Sequence, residues 1–134
     1  MDLSNFDVRS AADEGADLHL KHPATGEPLF AKDGKTPFTI RVLGRDAEVV
    51  QKAVQTSNEQ RAKGEIDETD AARMVLASTV AGWHEEMMLD GKPLRYSPKN
   101  AAVLLSDPRS DWIEEQIAPF SLSRRNFAQN MKKG

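Results

Sequence analysis

From Ala72 to Met87, the side chains of Ala72, Val75, Leu76, Thr79, Val80, Trp83 and Met87 recur at i, i+3, i+4, i+7, i+8, i+11 and i+15. An α-helix turns once in about 3.6 residues, so this spacing forms one continuous apolar face about four turns long. No other stretch constrains the fold as strongly. Asp67 is a suitable N-cap, and Glu68 and Asp70 suit the positive end of the helix dipole. The spacing predicts one long central helix from Asp67 to Met87, acting as the spine of the core.

Upstream the period shortens to two. Leu18 and Leu20 alternate with Asp17, His19 and Lys21, which is the period of a strand. Residues 23–28 are turn chemistry throughout, and Leu29 to Lys32 suits a second short strand. Asp33-Gly34 reads as a two-residue hairpin turn. Phe38, Ile40 and Val42 alternate with Thr39, Arg41 and Leu43 and make the clearest strand. A sheet this small needs a helix on its apolar face. Ahead of it, residues 1–15 are polar enough to predict a loose arm, with room for no more than a brief structured piece. After Gly44, Arg45 to Ala62 suits a helix whose narrow stripe of Ala47, Val50 and Val54 can cover that sheet, with Lys63-Gly64-Glu65 as its stop.

Downstream, Asp90-Gly91-Lys92-Pro93 predicts a turn. Ser97-Pro98 and Asp107-Pro108 each place a capping side chain before a proline at the first helical position. Tyr96 is placed to pack on Ala101 as a hydrophobic staple. Trp112, Ile113, Gln116 and Ile117 share one helix face, and Pro119 is expected to break or kink that helix. Ser121 to Asn130 suits a last helix anchored by Leu122 and Phe127, with fraying from Met131 to Gly134. The fold class expected is α+β, mainly α: a small N-terminal antiparallel β-hairpin or sheet followed by four to five helices. As one domain over 1–134, it divides into an arm (1–15), a β-region (16–44) and a helical region (45–130).

The chemistry the chain can support is narrow. Its 134 residues are 39% hydrophobic and 29% charged, which suits one globular domain. Met74 to Trp83 is its longest mostly apolar run, well short of the roughly 18 residues of a membrane helix. The N-terminus lacks the basic-then-apolar order of a signal peptide, so a soluble intracellular domain is expected. With no cysteine there is no disulfide, thiolate ligand or thiol nucleophile. His19 and His22 point to opposite faces of a strand, and His84 lacks a second histidine one helical turn on, so no metal site is expected. Glu85 and Glu86, like Glu114 and Glu115, are helix neighbours pointing about 100° apart, which suits a solvated face better than shared acid–base work. The glycines are scattered, and Ser97 and Ser106 look like caps. No catalytic residue and no cofactor is therefore expected, and the chain does not read as an enzyme.

The net charge of -3 hides an asymmetry. Residues 1–33 carry seven acids and three bases, whereas residues 120–134 carry Arg124, Arg125, Lys132 and Lys133 and no acid. Such a tail can contact phosphates, yet no aromatic residues alternate with its bases as a single-strand groove requires. Trp83 and Trp112 are expected in the core. One-sided helices in so short a chain leave apolar surface over, and that surplus suits a partner.

An ordered series of segments carries a resemblance. It runs through His22-Pro23-Ala24-Thr25-Gly26-Glu27-Pro28-Leu29, Phe38 to Asp46, and Val80-Ala81-Gly82-Trp83. It continues with Asp90 to Ala101, Leu104-Leu105-Ser106-Asp107, Trp112 to Ile117, and Arg124-Arg125-Asn126-Phe127. Over residues 15–130 the chain resembles the tail assembly chaperones of long-tailed bacteriophages and prophages. The resemblance implies a small, mainly helical, non-enzymatic protein that binds the tape measure protein and keeps it soluble while tail tube protein polymerises. It also implies a homo-oligomer in the host cytoplasm that is absent from the mature virion, with no membrane partner. Trp112, Ile113, Ile117, Phe120 and Phe127, beside a proline and a basic tail, are the candidate partner-binding residues. Two alternatives stay open: another virion-morphogenesis module such as a head–tail connector, and a nucleic-acid-binding regulator using Arg124, Arg125, Lys132 and Lys133.

Overall fold

The structure, a computed structural model, describes residues 1–131. At its centre is a three-stranded antiparallel sheet in the order β1-β2-β3, where β1 is Ala16–His19, β2 is Thr39–Val42 and β3 is Val80–Trp83. Leu18 lies opposite Ile40 across one ladder, and Ile40 lies opposite Trp83 across the other. Ile40 and Val42, on one face of β2, are fully buried, as the alternation of that segment requires. The fold is α+β and mainly helical, as expected.

The third strand corrects the long central helix. That helix, α3, spans only Glu68–Ser78. It begins as read: the Asp67 carboxylate accepts from the Asp70 N–H, and Asp70 completes a capping box. At Thr79 the chain turns, and the Thr79 carbonyl accepts from the Leu43 N–H beyond the end of β2. A helix through Val80 to Trp83 would hold a β-branched residue and Gly82, whose helix penalty is about 1 kcal/mol. As a strand the same residues pair the second edge of β2 and bury Val80. Met87 still reaches the core, after a turn in which its N–H bonds the His84 carbonyl. Glu85 and Glu86 therefore lie in a turn, not on a helix, and Glu86 accepts from the Lys32 N–H.

The two Asp-Gly pairs behave differently. Asp90 and Gly91 both have positive φ (54° and 77°) and join β4 (Met88–Leu89) to β5 (Lys92–Pro93) by a two-residue turn of type I′ character. At Asp33-Gly34 only Gly34 has positive φ, and the hydrogen bond from the Ala31 N–H to the Thr36 carbonyl encloses four residues. The Asp33 carboxylate holds that wider loop by accepting from the N–H groups of Lys35 and Thr36 and from the Thr36 hydroxyl. The Thr36 hydroxyl, then these backbone bonds, lower its pKa to about 2. Leu29 to Lys32 forms no continuous strand; it contributes one isolated bridge, Phe30 with Pro37, just after the bridge of Lys21 with Pro28.

The N-terminal segment is ordered as well. A 3₁₀ turn, Leu3–Phe6, leads into α1, Val8–Glu14, which Asp7 caps. Ala11 and Ala12 are buried, and α1 lies on the 3₁₀ helix Arg124–Asn130, which replaces the expected last helix. Asn130 donates its amide N–H to the carbonyls of Ala11 and Gly15, closing the end of α1. On the α1 side the contact is made by Ala11 and Ala12, too small to register as an apolar stripe. The expected fraying from Met131 now concerns only Lys132 to Gly134, outside the described residues, because Met131 packs beside Phe127.

The remaining helices are α2, Glu48–Ala62; α4, Pro98–Ser106; and α5, Asp111–Leu122. Asp13 of α1 caps α2 from outside by accepting from the Glu48 N–H. Gly64, at φ 73°, follows its end. Ser97 caps α4 as expected, and the Tyr96 hydroxyl donates to the Val80 carbonyl while its ring edge meets Trp83. Pro119 does not end α5, which runs on to Leu122, because one missing N–H near a C-terminus removes a single bond. The sheet is covered by α4 and α5, not by α2: Leu104, Leu105, Ile113 and Ile117 share the main core with Leu20, Ile40, Val42 and Val80.

Gly44 is where the N-terminal segment meets this core. A Cβ there would lie 2.8 Å from the Ala12 Cβ and 3.1 Å from the Phe127 ring. Gly44→Ala is expected to cost about 1–3 kcal/mol by overpacking. Gly82→Ala, whose new Cβ meets nothing nearer than 3.8 Å, is expected to cost under about 1 kcal/mol. Urea unfolding of both variants checks the contrast.

Candidate interaction groove

The expected partner-binding residues are distributed between core and rim. Ile113, Ile117 and Phe127 are 4%, 0% and 3% exposed, inside the fold. Trp112 and Phe120 are half-buried against the main core, and the Phe120 ring sets its edge to Phe127 at 5.8 Å. Ile113 and Ile117, one turn apart on α5, point at the sheet, so this face is already occupied by the chain itself.

The open apolar surface lies on another flank, where α2, α3 and the end of α5 enclose a groove of about 430 Å³. Its wall on α2 is Val50 and Val54, one turn apart; α3 contributes Ala72, Val75 and Leu76, and α5 contributes Leu122. The helices leave a trough because the facing side chains are short: α2 continues its stripe with Ser57, and α3 begins its own with Ala71 and Ala72. Leu122 is 58% exposed at the end of the groove. The hydroxyl groups in the lining are spent internally. Ser57 donates to the Val54 carbonyl, Thr79 to the Leu76 carbonyl and Ser121 to the Leu43 carbonyl, at 2.9, 2.6 and 2.8 Å. The groove thus offers apolar area with few free polar groups, which suits a side-chain-presenting partner better than a reacting substrate. Its charged rim residues are Arg45, Arg61 and Glu68. Among the described residues neither arginine is in an ion pair.

Other residues singled out by the sequence have structural partners. The His19 ring N–H donates to the Leu29 carbonyl, while His22 and His84 accept from nearby backbone N–H groups. Arg124 binds both carboxylate oxygens of Asp46, at 2.7 and 2.9 Å, tying the C-terminal segment to the approach to α2. That contact, above all, holds the Asp46 carboxyl below the usual carboxylate range. Arg125 is exposed, and Lys132 and Lys133 lie outside the described residues. The sequence pattern did not disclose the groove, because it exists only once two thin stripes of small side chains have been set side by side. The weak stripe on residues 45–62 was the available signal.

Compared with family models, with curated proteins and with solved structures, the chain matches none. Among the described residues, no helix is long and apolar enough to cross a membrane.

Beside the groove, on the other side of α3, the Glu114 Oε1 atom is buried without a hydrogen-bond partner. Burial pushes its pKa up, Asp111 adds to the rise and Arg73 opposes it. A carboxyl raised on folding favours the native state most below its unfolded pKa, and that contribution is lost as pH rises through the folded value. Glu114→Gln is therefore expected to leave stability near pH 3 unchanged and to raise it at neutral pH. Thermal unfolding of both proteins from pH 3 to pH 8 checks the sign.

Proposed function

We propose that this chain is a non-enzymatic tail assembly chaperone of a long-tailed phage or prophage. It binds the tape measure protein in the host cytoplasm, keeps it in solution while the tail tube forms, and is absent from the finished particle. The observation that carries the reading is the apolar groove between α2, α3 and α5, left open by a chain whose sheet face is already covered. A long helix-rich client exposes apolar stripes that aggregate in water, and an amphipathic helix laid into such a groove buries its stripe. The ordered resemblance over residues 15–130 supports the same role.

Trp112 and Phe120 form a half-buried shoulder on α5 and are secondary candidates for client contact. Ile113, Ile117 and Phe127 support that shoulder from inside.

The test is co-expression with a tape measure protein, the long helix-rich reading frame expected beside the gene. Wild type is expected to keep that client in the soluble fraction. Val54→Glu combined with Val75→Glu, which places two charges in the groove, is expected to lower soluble client at least about tenfold, corresponding to about 1.4 kcal/mol of binding. Undiminished capture by the folded double variant would remove the groove from the mechanism. A client that stays equally soluble without this chain would overturn the chaperone role. Recovery of this chain in purified virions would favour a connector instead.

A further inference from the structure

The N-terminal turn presents apolar side chains outward although its backbone is ordered. Asp2 accepts from the backbone N–H and the hydroxyl of Ser4, and its carbonyl accepts from the Asn5 N–H. On this braced turn Leu3 is 73% exposed and Phe6 is 55% exposed. Two large apolar side chains held in water by a capped turn form a knob. The same chain carries an open apolar groove between α2, α3 and α5.

We propose that a second copy of this chain seats its Leu3–Phe6 turn in that groove, with Leu3 and Phe6 against Val54, Val75 and Leu76. Charge supports this occupant. Asp2 precedes the turn, whereas Arg45 and Arg61 outnumber the single acid, Glu68, among the charged residues of the groove. The acidic bias of residues 1–33 extends the match beyond the knob. Polar demands are low on both sides, because the groove hydroxyls are satisfied by their own backbone and the turn has its own caps.

Knob and groove are different patches, so the contact is heterologous. Each copy gives its turn to one neighbour and receives a turn from another, which produces rings when the rotation closes and open chains when it does not. The groove is the one the proposed function gives to the client, so the turn and a client helix compete for it; the test contains no client, and its failure leaves that reading untouched.

The cysteine-free sequence makes disulfide trapping direct. Leu3→Cys and Val54→Cys proteins, prepared separately and mixed under mild oxidant, are expected to form a mixed disulfide, since bonding requires Cα atoms within about 7 Å. Its yield should exceed by at least about tenfold that from Leu3→Cys mixed with Lys99→Cys, a control position on α4. In sedimentation velocity the wild-type mass is expected to rise with concentration. Phe6→Asp, and separately Arg45→Glu combined with Arg61→Glu, should shift that rise to at least about tenfold higher concentration while retaining wild-type far-ultraviolet dichroism. A wild type that stays monomeric, or no mixed disulfide above the control, would overturn the proposal. So would a Leu3→Cys/Val54→Cys double variant that closes only within one chain.

Discussion

The pairing of Val80–Trp83 with the second edge of β2 organises the molecule. Without it, β2 would be an edge strand with unpaired backbone groups next to its two fully buried side chains, Ile40 and Val42. Burying side chains of this size contributes about 1.5–3 kcal/mol each, and that gain requires the backbone beside them to be paired as well. The strand also sets chain direction. It draws the end of α3 onto the sheet through the hydrogen bond between Leu43 and Thr79, and it places Trp83 where its indole N–H reaches the Leu94 carbonyl. The β4–β5 hairpin and α4 then follow in positions the sheet has fixed.

What was legible in the sequence follows from how strongly each signal depends on local physics. Caps are local, and Asp67, Ser97 and Asp107 each accept a backbone N–H within three residues, as expected. The alternation from Phe38 to Val42 is local too, and β2 lies where it predicts. The segment Ala72 to Trp83 misled because apolar residues three and four apart also satisfy a helix that stops at Ser78 and a strand that starts at Val80. A tertiary partner decided between the two readings, and no spacing within the segment identifies that partner. Residues 1–15 misled for a different reason. Ala11, Ala12 and Gly44 pack by lacking bulk, so their contact leaves little mark on a hydrophobic pattern.

The candidate site was harder to foresee for the same cause. Trp112, Ile113, Ile117 and Phe127 look adhesive in a sequence because they are large and apolar, but those properties also put Ile113, Ile117 and Phe127 inside the fold. The surface left over is built of alanine and valine, with serine and threonine hydroxyls turned back on their own helices. Such residues close a gap between helices poorly. Ser57 occupies the position where a leucine would continue the Val50 and Val54 stripe, and it is buried without filling the trough. An opening of this kind is stable only while its polar groups remain satisfied, which the internal hydroxyl bonds achieve.

Charge placement works in the same direction. The sequence concentrates acid at one end and base at the other, and the fold brings those ends together at α1 and the 3₁₀ helix Arg124–Asn130. Arg124 is committed there to Asp46, a carboxylate side chain only 18% exposed. That commitment removes one of the two described basic residues of the C-terminal segment from any phosphate-binding role, since an arginine held by both carboxylate oxygens must break two charge-assisted bonds to engage another anion. Arg45 and Arg61, in no ion pair among the described residues, line the groove. Positive charge and uncovered apolar area therefore coincide on one flank, a combination that complements acidic and apolar side chains.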